Sequence, residues 1–125
     1  MRAVVLDGVV DPNGWVGNDG TRNVPIFARI GSDVASAQAM KAVLARCKAA
    51  GKDFCMMAGL GDPTKVWTSL LARAKKKPIV ISDPTDPSLS ITLTYAQIYS
   101  IVTSLLYDQV GAGELVDLVL TMVAS

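Results

Sequence analysis

Three aspartates have the chemistry of a divalent-metal site. Asp33, Asp62 and Asp83 each come soon after a short apolar segment that the sequence predicts as a strand. Ligands of an open α/β sheet bind outside the carboxyl ends of its strands, and carboxylate oxygens are ligands that Mg²⁺ accepts. Asp33 and Asp62 also stand where helices are predicted to begin, so helix capping explains both of them without a metal. The two interpretations are a cation site and a pair of helix caps.

Histidine is absent from the sequence, and this narrows the chemistry further. Ser-His-Asp and Cys-His catalysis and histidine-ligated metals are excluded. Glu114 is the only glutamate, so no glutamate pair is available for acid–base work. Gly59 and Gly61 precede a predicted helix but lack the spacing of a phosphate-binding loop. Our principal interpretation therefore assigns no catalytic residue, no metal and no cofactor.

Length and composition indicate one globular domain. The chain has 125 residues, of which 50% are hydrophobic and 18% are charged. This composition excludes intrinsic disorder and a polybasic nucleic-acid arm. No apolar run reaches the roughly 18 residues that span a bilayer. Cys47 and Cys55 are predicted to be buried free thiols, with a disulfide as the alternative, and together with an N-terminus unlike a signal peptide they indicate cytoplasmic synthesis.

Hydrophobic periodicity and helix caps predict an α/β domain. Caps and apolar stripes place helices after Ser32, after Asp62, after Thr94 and over 114–124. The order β-β-α-β-α-β-β-α-α predicts a mixed, largely parallel sheet with helices packed on it, in one domain over residues 1–125. The predicted strands cover residues 3–10, 24–30, 53–58, 78–82 and 89–94.

The last predicted helix is too apolar for the surface of a monomer. Its polar side chains form one stripe at Glu114, Asp117 and Thr121, whereas a surface helix needs an apolar face only about 100° wide. Either the fold surrounds this helix, or residues 95–125 form a hydrophobic helical pair at a subunit interface, which we favour. The predicted interface comprises Leu115, Val116, Leu118, Val119, Leu120, Met122 and Val123, with the basic residues Arg73, Lys75, Lys76 and Lys77.

Charge is divided unevenly along the chain. Residues 41–77 carry nine basic residues against two acids, whereas residues 78–125 carry five acids and no base. Opposed surfaces of this kind complement each other between copies of a chain, or they neutralise each other within one monomer.

The sequence therefore favours a non-enzymatic structural subunit that assembles with copies of itself into a ring or tube. A virion, tail, connector or shell component that joins a particle after cytoplasmic synthesis has these properties. A second structural protein is the other partner we consider, and neither a specific nucleic acid nor a membrane is expected. The alternative is a small α/β enzyme or ligand-binding domain that uses Asp33, Asp62 and Asp83 with a divalent metal.

Overall fold

The fold is mostly helical. A computed structural model describes residues 11–83, 85–86, 88–108 and 110–125, and about 64% of these described residues are helical. None of the helices in these ranges combines the length and the apolar character needed to cross a membrane. The elements are α1 (Pro12–Val16), α2 (Ile26–Arg29), α3 (Ser32–Ala50), a 3₁₀ helix (Met56–Leu60), α4 (Pro63–Lys76), β1 (Ile79–Ser82), β2 (Ser90–Leu93), α5 (Tyr95–Leu105) and α6 (Gly111–Ala124).

The predicted α/β fold with a largely parallel sheet is wrong. The two strands described pair only with each other, as an antiparallel hairpin with Ile79 opposite Leu93 and Ser82 opposite Ser90. A parallel pair needs a crossover of a dozen or more residues, whereas only the short connection 83–89 joins β1 to β2. The backbone N–H of Asp83 donates to the carbonyl of Leu89 at 2.8 Å and closes this turn.

Two of the predicted strands are helical or irregular instead. Residues 24–30 contain α2, and residues 53–58 contain a turn and the start of the 3₁₀ helix. Both segments are short apolar runs, in which periodicity cannot separate a buried strand from a helix. The predictions for 78–82 and 89–94 are confirmed as β1 and β2, and the predicted strand 3–10 lies outside the described residues.

The predicted helix starts are confirmed where a cap defines them. Asp62 accepts a hydrogen bond from the backbone N–H of Thr64 at 2.9 Å, and Pro63 occupies the first turn of α4. Thr94 and Gln97 form the reciprocal capping box that opens α5. These interactions satisfy backbone donors that the first turn of a helix leaves without a partner.

The described residues form two compact units that divide between Gln38 and Ala39. In the first unit, α1 and α2 are tied together by the guanidinium of Arg29. It donates to the carbonyl oxygens of Gly14 at 3.1 Å, Trp15 at 2.7 Å and Thr21 at 3.3 Å. None of the described residues of this unit is buried, so hydrogen bonding rather than a core organises it.

The hydrophobic core belongs to the second unit. Met57, Ile98, Leu115, Val119 and Met122 are fully buried there and bring the 3₁₀ helix, α5 and α6 together. The core lies mainly between helices. The hairpin contributes only one face of each strand to the core, through Ile79 and Leu93.

A disulfide closes the segment between α3 and the 3₁₀ helix. It joins Cys47 to Cys55, whose Cα atoms lie 5.3 Å apart. Gly51 has a φ of 75°, and this left-handed conformation turns the chain back after α3. The prediction of free thiols is therefore wrong, and the alternative of a disulfide is confirmed.

Candidate functional site

Two of the three aspartates of the metal hypothesis, Asp62 and Asp83, have partners within the fold. Asp62 accepts a hydrogen bond from the Lys48 ammonium at 2.6 Å, and this bond, followed by the backbone N–H of Thr64, lowers the pKa of its carboxyl. Asp83 accepts from the hydroxyl and backbone N–H of Thr85, which lower the pKa of Asp83 in the same way. Asp33 lies in the first turn of α3, in the other unit. Within the described ranges, no group of three or more His, Cys, Asp or Glu residues lies together to hold a metal ion.

The apolar surface of α6 lies largely within its own unit. Leu115, Val119 and Met122 have no exposed surface and contact the core, and the remaining predicted interface residues of α6 are partly buried against it. The predicted polar stripe is confirmed, since its three residues are exposed. What α6 offers to a partner is therefore the polar stripe and its half-buried side chains, which are Val116, Leu118, Leu120 and Val123.

The basic residues at the end of α4 differ in their surroundings. Arg73 donates from its guanidinium to the backbone carbonyl of Met122. The ammonium of Lys75 lies 4.9 Å from the centre of the Tyr95 ring, which is a cation–π distance. Lys76 and Lys77 are exposed. The last two residues therefore present positive charge to solvent, whereas Arg73 and Lys75 also contribute to the fold.

The tyrosines of α5 extend this surface. The rings of Tyr95 and Tyr99 lie 4.9 Å apart, and Tyr99 lies 6.3 Å from the ring of Trp67 on α4. Partial burial, and then the neighbouring Tyr95, raises the pKa of the Tyr99 hydroxyl. Tyr99 remains 43% exposed and Tyr107 is 74% exposed, as expected if the core cannot take up every tyrosine.

A groove along α4 combines an apolar floor with positive charge. It has a volume of about 590 Å³ and reaches from the end of the 3₁₀ helix to the last turn of α6. Its position follows from the cap at Asp62, which fixes where α4 begins and so which side chains share one face of that helix. The residues around this groove, which we call the α4 groove, are Leu60, Gly61, Asp62, Lys65, Val66, Ser69, Leu70, Arg73 and Val123.

The connection between α5 and α6 combines exposed apolar side chains with negative charge. Tyr107 and Val110 are 74% and 69% exposed, and the acids Asp108 and Glu114 stand beside them in the sequence and are exposed. Asp108 accepts a hydrogen bond from the backbone N–H of Val110 at 3.0 Å, which fixes the turn. We call the four residues Tyr107, Asp108, Val110 and Glu114 the α5–α6 corner.

Gly111 makes this corner possible. A Cβ atom at that position would overlap the backbone carbonyl of Leu105, the last residue of α5. Glycine therefore allows α6 to begin directly against the end of α5. Sequence reasoning saw Gly111 only as a break between helices and missed the corner, although a glycine between two apolar helices is the signal that marks it.

The first unit carries an apolar surface that sequence reasoning also missed. Trp15, Phe27 and Val34 are 54%, 63% and 57% exposed, and Val16 and Ile30 are also exposed. The predicted strand 24–30 does not place Phe27 on a helix, and the sequence analysis predicts no helix at Trp15, so this surface was missed.

Comparison of the chain with protein-family models, with curated proteins and with solved structures finds no match. The function must therefore be inferred from the residues themselves. The features available for this inference are the α4 groove, the α5–α6 corner and the distribution of charge.

Proposed function

We propose that the chain is a non-enzymatic structural subunit that assembles with copies of itself into a ring or tube. A virion, tail, connector or shell component is the kind of protein that the proposal describes. The absence of histidine and the single glutamate support a non-enzymatic role. The fold gives no support to a metal-dependent enzyme, because the metal site was predicted from the carboxyl ends of parallel strands, and the strands described are antiparallel.

One electrostatic observation carries the proposal. Among the residues that the structure describes, no acid of the segment 78–125 lies within ion-pair distance of a base. The ion pairs that do form involve Asp19, Asp53 and Asp62, which all precede that segment. The acids of the C-terminal helices, and Lys65 and Lys76 of α4, thus stay available for contact with a second copy.

The proposal includes cytoplasmic synthesis followed by incorporation into a particle. Cytosolic glutathione and thioredoxin keep most thiols reduced. The disulfide between Cys47 and Cys55 therefore has to form after the chain meets oxidising surroundings, for example in an assembled and released particle.

Native mass measured by light scattering tests the proposal. We expect a multiple of the 13.2 kDa chain that decreases as the salt concentration rises from about 0.05 to about 0.5 M, since salt screens charges over a shorter distance at higher ionic strength. A monomer at every concentration and salt would overturn the proposed function.

Charge reversal tests the electrostatic part separately. Lys76→Glu combined with Lys77→Glu should reduce assembly at low salt, because both side chains are exposed at the end of α4. The same reversal at Lys41 and Arg46, which are exposed on α3 within the same basic segment, shows whether the effect is specific to the end of α4. Equal assembly of the wild type and the α4 variant would show that these charges do not hold the subunits together.

A further inference from the structure

We propose that the α4 groove of one copy receives the α5–α6 corner of the next copy. This inference rests on the proposed function and identifies the two surfaces through which the subunits meet. It commits to a second copy of the chain as the occupant of the groove, because the two surfaces match in polarity and in charge.

The groove has the chemistry of a site for an apolar segment with acids beside it. Val66, Leu70 and Val123 supply apolar side chains, while Lys65 and Arg73 place positive charge along the same groove. Arg73 uses one N–H on the carbonyl of Met122, and a guanidinium has five N–H donors, so others remain for a carboxylate. The groove has a volume of about 590 Å³ and is open to solvent along α4, so a segment of a second chain can reach it.

The corner has the complementary chemistry. Tyr107 and Val110 expose most of their surface, and aromatic anchors are enriched at the centres of interfaces. Asp108 and Glu114 supply the acids, and neither forms an ion pair in the structure as described. The hydrogen bond from Val110 to Asp108 and the close approach at Gly111 restrain these described residues, which reduces the entropy they lose on binding.

The two surfaces lie at opposite ends of α6. The corner leads into its first turn at Gly111, and the groove reaches Val123 in its last turn. A helix of 14 residues is about 20 Å long. The corner therefore lies about 20 Å from the Val123 end of the groove in its own chain. Contact between opposite ends is heterologous, so it continues from copy to copy and either closes into a ring or propagates as a tube.

Two blocking variants test the contact. Ser69→Trp fills the groove from an exposed position on α4, and Val110→Lys puts positive charge on the corner, opposite Lys65 and Arg73 of the next copy. The matched controls are Ser100→Trp, at an exposed position of α5, and Val80→Lys, on the exposed side of β1. Each control makes the same chemical change away from both surfaces.

We expect each blocking variant alone to be a monomer of 13.2 kDa, and both controls to assemble as the wild type does. Mixing the two blocking variants should produce a 1:1 dimer and nothing larger. The free groove of Val110→Lys can still receive the intact corner of Ser69→Trp, while the other two surfaces are blocked. Native mass spectrometry distinguishes the monomers from this dimer.

Several results would overturn the inference. Wild-type assembly by either blocking variant shows that its surface is not used, and a mixture that remains monomeric shows that the two surfaces do not meet. In both cases the wild type still assembles, so the proposed function stands. If the wild type is itself a monomer, the proposed function is wrong as well. Circular dichroism checks that the variants fold, and Lys65→Glu repeats the groove test without added bulk.

Discussion

Arg73 on α4 donates a hydrogen bond from its guanidinium to the backbone carbonyl of Met122, in the last turn of α6. The hydroxyl of Ser125 donates to the same oxygen at 2.9 Å. The last carbonyls of a helix have no partner within it, and a positive charge is favourable at that end of the helix dipole. Arg73 therefore joins α4 to α6 at the place where both helices border the α4 groove.

Arg73→Ala should lower the free energy of unfolding by about 1 kcal/mol, because it removes a charge-assisted hydrogen bond that ends a helix. The measurement is urea unfolding followed by circular dichroism, at a salt concentration that keeps the subunit monomeric. Lys76→Ala is the control, since it removes an exposed cation from the same helix and should change stability by less than about 0.5 kcal/mol. Equal urea midpoints for the two variants would contradict a stabilising role for the contact.

Leu115→Ala tests whether α6 belongs to the core of its own unit. Leu115 has no exposed surface, so truncation should cost about 2–5 kcal/mol of unfolding free energy. Leu118→Ala should cost less, because the Leu118 side chain is only partly buried. Both losses should be independent of protein concentration. A loss at Leu115 that shrank as the protein was diluted would instead place this side chain in a subunit interface, because dilution removes the contribution of the interface from the wild type as well.

The disulfide makes a prediction about both chemistry and stability. After exposure to air, a chain treated with an alkylating reagent under denaturing conditions should gain no adduct without a reductant and two adducts with one, as measured by intact mass. Replacing Cys47 and Cys55 together by alanine should lower the free energy of unfolding by about 2–3 kcal/mol, the chain-entropy effect of so short a loop. Two adducts in the absence of reductant would restore the interpretation as free thiols.

Local signals were sufficient to predict the long helices but not the sheet. Asp62 with Pro63, and Thr94 with Gln97, define helix starts through contacts within a few residues, and the structure confirms both. The 3₁₀ helix within residues 53–58 has no side-chain cap, and the segment is instead joined to Gly51 by backbone hydrogen bonds and to α3 by a disulfide. Since that segment and 24–30 are not strands, the antiparallel pair β1 and β2 is the only sheet among the described residues.

Only the distribution of charged residues along the sequence pointed to the candidate site. The basic segment 41–77 and the acidic segment 78–125 were visible in the residues themselves, and they led to the expectation of contact between copies. The burial of Leu115 within its own unit could not be predicted, because an apolar helix face can pack equally well against the same chain or against another one. The α5–α6 corner depends on the close approach of Gly111 to Leu105, which is a feature of tertiary structure.

Lowering the pH should destabilise the fold, in part because the carboxyl of Asp62 becomes protonated. Its pKa is lowered, first by the hydrogen bond from Lys48, so the folded chain binds this proton less readily than the unfolded chain does. The stability it contributes is complete well above the ordinary value of 3.8 and is lost as the pH falls below that value. Asp62→Asn keeps a good helix cap but removes the charge, so its urea midpoint should fall less between about pH 5 and about pH 2 than that of the wild type. Asp117→Asn, on the exposed stripe of α6, is the control, and equal pH dependence of Asp62→Asn and the wild type would contradict the role of the ion pair.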